Sequence, residues 1–399
     1  MDPAPSSSPS LDLVRALTDE RVLRALMRHR RLTRAELAAE TGISKPTAGE
    51  SVRRLQERGL VADTGERTPG GRGRGRVGSY YALSPAAGTA LAVSIAPAGI
   101  TGELLDAYGE TIARTAHPLD RPASPSSVAA ALAAAASSLA AASSPGAASS
   151  PGAACSPGVP PPPGAACSPG GARPRLAVVS AADPVDRASG RLVHLPDSPF
   201  LVGELDPVGV LAGHVAGPVT VDNDVNWAAR AEREHAGDDF AYLYLGEGLG
   251  CATVGGGAVT RGRGGLAGEI AHLLTVGPGG RAVPFIEVFG ALGVRRPGST
   301  AIDPDALLAA MARSSDRHLV ARAVAGVVAA IVALADPGLI VLGGPWGPAV
   351  LAPVREAVAG LPRTVPVEAA VLRREPALAG ARQDALDRLR GAVVADAAG

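Results

Sequence analysis

The pattern of apolar residues changes twice along this chain of 399 residues, and each change marks a different architecture. Residues 11–62 carry apolar side chains at spacings of three and four, as amphipathic helices do. Residues 63–83 are rich in glycine and arginine and end in two tyrosines, an alanine and a leucine, which favours two strands joined by a turn. From Ala86 onwards, short apolar runs alternate with alanine-rich helical stretches. We therefore predict a helical domain over residues 11–83 and an α/β domain over residues 86–399.

Two further segments lack the composition of a folded core. Residues 1–10 are rich in proline and serine, which predicts a disordered tail. Residues 143–172 consist of Pro, Ala, Gly, Ser, Cys and Val, without one charged side chain. Such a segment cannot bury enough apolar surface to offset its conformational entropy, so we predict a flexible surface insert. A metal or redox pair at Cys155 and Cys167 is the weaker alternative, because neither has a histidine or acidic neighbour within the segment.

The charges are divided unevenly between the two domains, although the chain as a whole is neutral. Residues 1–83 carry 15 basic and 10 acidic side chains, whereas the remainder carries 23 basic and 28 acidic ones. A basic segment on a slightly acidic body favours an anionic partner for the first domain alone. A chance imbalance on a solvated surface is the alternative.

Three properties favour a cytoplasmic protein that does not span a membrane. The chain has three cysteines, so no disulfide framework is expected. Its N-terminus lacks the basic and then apolar layout of a signal peptide. The longest uncharged apolar run, Ala323–Ala335, has 13 residues. A membrane-spanning helix needs about 20, so this run predicts a buried helix.

Residues 33–60 contain the signals of two short helices joined by a tight turn. Thr33 and Glu36 have the spacing of a capping box, which starts the first helix. Gly42 supplies the turn, and Ser44 caps a second helix in which Pro46 is tolerated in the first turn. This layout is typical of a helix-turn-helix, whose second helix enters the major groove of DNA with its N-terminal end first.

The polar side chains of this unit are the predicted DNA contacts. Ser and Thr can hydrogen-bond bases, and Arg can contact phosphate or guanine. On the helices these residues are Thr33, Ser44, Lys45, Thr47, Ser51, Arg53 and Arg54. Arg72, Arg74 and Arg76 then alternate with glycines, which suits a wing along the phosphate backbone. A helical protein-interaction module with a charged linker is the less favoured alternative.

The larger domain contains an acidic and a glycine-rich constellation. Asn223 and Asp224 lie between an apolar strand and a helical run, at the carboxyl end of a strand where α/β folds bind ligands. Their oxygens and amide suit vicinal hydroxyls, but Asp222 and Asn223 would equally serve as helix caps. The loop Gly246–Gly250 could approach a phosphate or form a hairpin turn. Glu269 and His272 would share a helix face.

Taken together, these features resemble the ROK family (repressor, open reading frame, kinase). The resemblance covers about residues 11–83 and 175–395 and is most specific at Val221–Glu232 and Gly262–His272. In the second segment the family reads Gly-Ala-Gly-Glu-Ile-Gly-His, and this chain reads Leu-Ala-Gly-Glu-Ile-Ala-His. The resemblance implies a winged helix-turn-helix followed by an α/β body of two actin- or hexokinase-like lobes, with a sugar cleft between them.

The resemblance also implies a set of sugar-binding residues. In the kinases of the family, the residue that matches Asp224 is the general base that acts on the sugar hydroxyl. The residues expected to face sugar hydroxyls are Asn223, Asp224, Glu269, His272 and Glu287.

Two departures from the family bear on activity. The kinases have an Asp-x-Gly-x-Thr phosphate turn after the first strand of the body, whereas Ala92–Gly99 lacks the Asp and contains Pro97, which has no N–H to donate. Phosphoryl transfer depends on positioning the phosphate and the metal, so we predict no kinase activity and no catalytic residue. The family's zinc site uses a histidine and three cysteines, but Val276–Ile286 contains no cysteine, so we predict neither zinc nor another cofactor.

The sequence thus predicts a transcriptional regulator of carbohydrate-related genes, most simply a repressor. Its predicted partners are a double-stranded DNA operator, a sugar or sugar-phosphate effector, and further copies of itself in a homodimer or higher oligomer, with no membrane partner. One alternative is a sugar kinase that carries a DNA-binding domain and consumes ATP. The other is a DNA-binding regulator whose body binds no ligand and serves to dimerise it.

Overall fold

The computed structural model describes five stretches of the chain, which are residues 9–68, 78–142, 173–195, 200–201 and 203–398. Residues 1–8 of the predicted tail lie outside these stretches. The predicted insert at residues 143–172, which includes Cys155 and Cys167, also lies outside them. Within the described stretches the fold is mixed α/β with a small N-terminal helical domain, which confirms the predicted fold class.

The N-terminal domain consists of three helices and a three-stranded antiparallel sheet. Its elements are α1 (Pro9–His29), β1 (Arg31–Thr33), α2 (Arg34–Thr41), α3 (Lys45–Glu57), β2 (Val61–Arg67) and β3 (Ser79–Leu83), and the sheet order is β1-β3-β2. The Thr33 hydroxyl accepts the N–H of Glu36 at 3.3 Å, and the Glu36 carboxylate accepts the N–H of Thr33 at 2.8 Å. The predicted capping box is therefore confirmed. Gly42, with φ of 71°, ends α2 in the left-handed conformation that glycine adopts readily.

The first lobe of the body is a five-stranded sheet with helices packed on it. In chain order its elements are β4 (Ala90–Ala96), β5 (Gly99–Leu105), β6 (Thr111–Pro118), α4 (Pro125–Ala142), β7 (Leu176–Ala181), α5 (Pro207–Leu211) and β8 (Val219–Asn223). The strand order is β6-β5-β4-β7-β8, in which β4, β7 and β8 are parallel. Because β7 and β8 are neighbours and parallel, the residues that follow them meet at one edge of the sheet.

The second lobe repeats this plan around a second five-stranded sheet. Its elements are α6 (Asp224–Ala236), β9 (Phe240–Leu245), β10 (Leu249–Gly255), β11 (Ala258–Val259), β12 (Leu274–Val276), β13 (Ala282–Pro284), α7 (Phe285–Ala291), α8 (Pro304–Ala310), α9 (Ser314–Ala335), β14 (Ile340–Gly343), α10 (Gly347–Ala359), β15 (Val367–Ala369) and α11 (Pro376–Ala398). The sheet order is β11-β10-β9-β14-β15, and β12 pairs with β13 in a separate hairpin. The loop after β9 is the turn of the β9–β10 hairpin, as one of the two interpretations of Gly246–Gly250 predicted.

The C-terminal helix α11 joins the lobes to the N-terminal domain. It packs on α6, on strands β4 and β7, and on α1. Leu389 and Val393 of α11 share one apolar core with Leu23 of α1 and Leu55 of α3. At its end, the carbonyl oxygens of Asp396 and Ala397 accept hydrogen bonds from the Arg58 guanidinium. The N-terminal domain is thus continuous with the first lobe in packing.

Two helices, α4 and α9, are long and apolar enough to cross a membrane by length and composition alone. Each buries one face inside a lobe. Val128 and Leu132 of α4 belong to the core of the first lobe, and Val324 and Val328 of α9 belong to the core of the second. The run Ala323–Ala335 therefore forms a core helix, as its length predicted.

Candidate functional site

The start of α3 is exposed on the surface of the N-terminal domain. The Ser44 hydroxyl accepts the N–H of Thr47 at 3.2 Å and caps the helix. Ser44, Lys45 and Thr47 are all exposed, as predicted. The opposite face is fully buried through Val52 and Leu55, so α3 is fixed to the domain core by one side only.

Three of the predicted DNA contacts point inward instead, and those predictions are wrong. Ser51 is fully buried, and its hydroxyl donates to the Asp19 carboxylate. Arg54 donates to the same carboxylate at 2.6 and 3.1 Å. Asp19 is 2% exposed, and a buried carboxylate needs donors, so it turns both side chains towards α1. Thr33 is also buried, and its hydroxyl serves the cap of α2.

Arg53 is exposed, as predicted, but it stands between two glutamates that the sequence analysis passed over. Its guanidinium donates to Glu50 at 2.6 and 3.3 Å and to Glu57 at 2.6 Å. The helical period would have revealed this, because positions 50, 53 and 57 recur on one face opposite Leu55. The predicted wing arginines, Arg72, Arg74 and Arg76, lie outside the described residues.

A cleft between the two lobes contains a cavity of about 480 Å³. Four of the five predicted sugar-facing residues line it, namely Asn223, Asp224, Glu269 and His272. Glu287 is not among the described residues that line the cavity. It lies at the start of α7 and pairs with Arg295 at 3.0 Å, because the first turn of α7 turns its neighbour Ile286 to the cavity instead.

Asn223 both caps α6 and lines the cavity. The two predicted roles of this residue, as a helix cap and as a cleft residue, therefore apply together. Its side-chain oxygen accepts the N–H of Val225 at 2.9 Å and caps α6. Its amide donates to the carbonyl oxygen of Asp183 at 3.3 Å. Asp222 is not among the residues that line the cavity. Its buried carboxylate accepts a hydrogen bond from the Asn226 amide and pairs with Arg261. Asn223 therefore fixes the end of β8 against the loop that follows β7.

The polar side of the cavity gathers three carboxylates, those of Asp183, Asp224 and Glu269. Burial raises the pKa of Asp224 to about 7, and the nearby charges of Asp183 and Glu269 add to that rise. Desolvation by the surrounding protein raises the pKa of Glu269 to about 7, and Asp183 again adds to it. At neutral pH these groups can therefore accept a hydrogen bond or hold a proton, which suits recognition of hydroxyl groups.

Asp183 is a cavity residue that the sequence analysis missed. It follows β7, is 2% exposed and lines the cavity. The available signal was the one used for Asn223, namely a polar residue directly after an apolar strand. Its relation to Asp224 depends on the adjacency of β7 and β8, which no local pattern reveals.

Gly268 places Glu269 in the cavity. The backbone of Gly268 lies so close to β10 that there is no room for a side chain. A Cβ atom added to Gly268 would stand 1.8 Å from the carbonyl oxygen of Cys251. Its φ of 99° also favours glycine. The carbonyl of Gly268 accepts the N–H of Cys251 at 2.9 Å, so the backbone before Glu269 is bonded directly to the sheet.

The other side of the cavity is lined by a different kind of residue. Pro97 stands in the turn between β4 and β5, and its carbonyl accepts from Arg121 at 3.1 Å. Arg121 also donates to both carboxylate oxygens of Glu247, at 2.7 and 2.9 Å. Arg296 donates to the same carboxylate at 3.2 Å. Because Arg121 belongs to the first lobe and Glu247 to the second, this network connects the lobes directly.

The residues at the position of the family's zinc site do not fit a zinc ion. The segment that follows His272 forms the β12–β13 hairpin, whose residues include no cysteine. Cys251, which is buried in β10, is the free cysteine of the described residues. Within the described stretches no group of three or more His, Cys, Asp or Glu side chains is arranged to hold a metal.

Comparison with known proteins agrees with both domains. A MarR family model matches residues 18–72, and a ROK family model matches residues 171–284. The bifunctional enzyme NanE/NanK of Brucella suis biovar 1 (strain 1330) is 32% identical over 152 residues. That match covers 35% of this chain and 29% of the enzyme, so the chain spans less than a third of this curated relative.

Solved structures share the fold at low sequence identity. A ROK family transcriptional regulator, described as a homolog of the E. coli MLC protein, is 17% identical with a TM-score of 0.57, over 96% of this chain and 99% of the other. A ROK hexokinase from Thermus thermophilus is 23% identical with a TM-score of 0.53, over 76% of this chain and 99% of the other.

Fold and cleft together define a two-domain protein with a MarR-type winged helix ahead of a sugar-kinase-like body. The chain thus carries a segment that matches the ROK family at residues 171–284, behind a segment that matches the MarR family at residues 18–72.

Proposed function

We propose that this protein is a cytoplasmic transcriptional regulator that binds operator DNA as a homodimer or higher oligomer and responds to a sugar. The observation that carries the proposal is the pairing of two surfaces. One is the exposed, Ser44-capped start of α3, and the other is a cavity that gathers polar side chains from both lobes. In a helix-turn-helix the first of these surfaces enters the major groove. Carbohydrate-related genes are the expected targets, and repression is the expected sign.

The polar side of the cavity supports a sugar as the effector. Asn223, Asp224, Glu269 and His272 supply acceptors and donors suited to neighbouring hydroxyl groups. Glu287 is the weakest member of the predicted set, because its carboxylate pairs with Arg295 away from the cavity.

Ligand binding has a direct mechanical route to the DNA-binding domain. Asp224 is the first residue of α6, and α6 packs closely along α11. Gly380 of α11 lies against the carbonyl oxygen of Trp227 of α6, and Arg230 pairs with Asp387 at 2.9 Å. Since α11 shares a core with α1 and α3, a sugar that moves α6 would move the two DNA-reading helices of a dimer. Such an effector must bind the two states with different affinity.

We further propose that the body does not transfer phosphate. The turn between β4 and β5 contains Pro97, which has no N–H to donate, and Glu247 carries negative charge into the neighbouring part of the cavity. A nucleotide phosphate there would meet a carboxylate already bound by Arg121 and Arg296. A sugar kinase with an added DNA-binding domain is the second candidate, and it is favoured by the pKa of Asp224 near 7, which suits a general base.

The test uses the purified full-length protein and duplexes recovered by genome-wide mapping of its bound sites. Binding is followed by fluorescence anisotropy while hexoses, N-acetylhexosamines and hexose phosphates are added one at a time. We expect tight duplex binding and an affinity change of about 10-fold or more with one sugar class. Duplex binding that no sugar alters, with no heat of sugar binding in calorimetry, would favour a ligand-free scaffold. Sugar-dependent ATP turnover would favour the kinase.

A further inference from the structure

The outward face of α3 has a composition that general attraction to DNA does not explain. The residues opposite its buried face are Pro46, Glu50, Arg53 and Glu57. Glu50, Arg53 and Glu57 have exposed side chains, with 52%, 57% and 59% of their surface accessible. Two carboxylates on a face that meets phosphates would weaken electrostatic binding, because each repels the backbone of the duplex.

Of the two glutamates, Glu50 should repel the duplex more strongly, because of its position on α3. Glu50 lies in the first half of α3, on the face opposite the buried residues Val52 and Leu55. In the helix-turn-helix arrangement this face meets the floor of the major groove near the N-terminal end of the helix. The hydrogen bond from Arg53 keeps the pKa of the Glu50 carboxyl below its usual value, so Glu50 is ionised at neutral pH.

The hydrogen bonds of Arg53 leave two of its five N–H groups available. Nε and Nη2 donate to Glu50, and Nη1 donates to Glu57. A guanidinium has five N–H donors, so one N–H on each of Nη1 and Nη2 remains after these three bonds. That pair matches the N7 and O6 acceptors of guanine. The two glutamates hold the side chain in this orientation before DNA arrives, which reduces the entropy lost on binding.

Glu50 retains acceptor capacity of its own. A carboxylate offers about four lone-pair directions, and Arg53 occupies two. In the major groove a carboxylate pairs with the N4 amino group of cytosine. Residues 50 and 53 are three apart, a rise of about 4.5 Å along a helix, which is comparable to one base-pair step of about 3.4 Å.

We propose that Glu50 and Arg53 form a base-reading pair, in which Arg53 binds guanine and Glu50 accepts from the amino group of a neighbouring cytosine, while Glu57 only orients Arg53. This inference rests on the proposed DNA binding and adds which bases the protein selects. It assigns base recognition to Glu50, a residue that the sequence pattern alone does not mark as a DNA contact.

The test is selection of bound duplexes from a random library by the full-length protein, followed by sequencing. For the wild type we expect a guanine and an adjacent cytosine in each half-site. Glu50→Ala should lose the cytosine preference, by about 10-fold in relative affinity, and Glu50→Gln should shift it towards adenine, whose N6 and N7 pair with an amide. Arg53→Ala should lose the guanine preference.

Glu57→Gln is the matched control, because Glu57 is equally exposed and also binds Arg53, but lies at the far end of α3. We expect it to keep both base preferences. Unchanged base preferences in Glu50→Ala and Glu50→Gln would overturn the inference. A wild-type protein that binds no duplex would instead overturn the proposed function.

Discussion

The two sides of the cleft differ in how they are held, and the difference indicates which of them can transmit a signal. The polar side, with Asn223 and Asp224, belongs to the first turn of α6, which leads through α11 to the DNA-binding domain. The opposite side, at Arg121 and Glu247, is held by ion pairs that connect lobe to lobe. A ligand on the polar side would therefore act on a packed helix pair, whereas a change on the opposite side would alter a solvent-exposed contact.

The largest expected effect comes from separating α6 from α11. A Cβ atom at Gly380 would stand 1.9 Å from the carbonyl oxygen of Trp227, so Gly380→Ala must displace the helix. We expect the free energy of unfolding to fall by about 3 kcal/mol, as for severe overpacking. Gly391→Ala, in the same helix with nothing within 4 Å, is the control and should stabilise by about 0.5–1 kcal/mol. Equal effects of the two in urea unfolding would contradict the close helix contact.

The next largest effect is expected from a substitution on the polar side of the cleft. Asp224→Asn removes a charged acceptor from the cavity, and we expect sugar affinity to fall about 10- to 100-fold, since hydrogen bonds to charged groups contribute about 1.5–3 kcal/mol. Affinity for duplex without sugar should not change. Calorimetry and anisotropy measure the two separately. A loss of both affinities together would indicate misfolding of the domain interface instead.

The pH dependence of stability follows from the same carboxylates. Unfolded Asp224 ionises near pH 3.8, but in the fold its pKa is about 7, beside Asp183, Glu269 and Tyr244. The folded state therefore binds more protons between pH 4 and 7, so the free energy of unfolding should fall as pH rises through this range. For Asp224 we expect about 1–2 kcal/mol, less than its full shift would give because the cavity is open to water. Asp224→Asn should flatten the profile, and an unchanged slope would argue against the raised pKa.

The smallest effect is expected on the opposite side. Glu247→Gln weakens an exposed ion-pair network, which should cost at most about 1 kcal/mol of stability. Sugar affinity should change by less than about 3-fold. If this variant lowered sugar affinity as much as Asp224→Asn, the two sides of the cleft would not be functionally distinct.

Local sequence signals predicted much of the fold and part of the site. The caps at Thr33 and Ser44 were predictable because a capping bond joins residues three apart. The polar pair at Asn223 and Asp224 was predictable because it stands where a strand ends and a helix begins. These signals depend on neighbours in sequence, and they needed no knowledge of tertiary structure.

The inward orientation of the Ser51 and Arg54 side chains could not be predicted from such local signals. Both side chains donate hydrogen bonds to the Asp19 carboxylate, which lies 32 residues before Ser51 and 35 residues before Arg54. Polar residues on a helix are expected to face solvent, and a buried carboxylate on another helix reverses that expectation. The position of Glu287 was missed for a related reason, because its contact with Arg295 depends on how α7 is placed.

By itself, the sequence determined the order of the two domains, the capped DNA-reading helix and the polar end of β8, because hydrogen-bonding rules and apolar periodicity act over a few residues. Only the tertiary structure decided that Asp183 joins Asp224 in one cavity, that Arg121 meets Glu247 across the cleft, and that α11 connects α6 to the DNA-binding domain. These contacts join residues 40 to more than 100 positions apart, and their partners are chosen by strand order and helix packing.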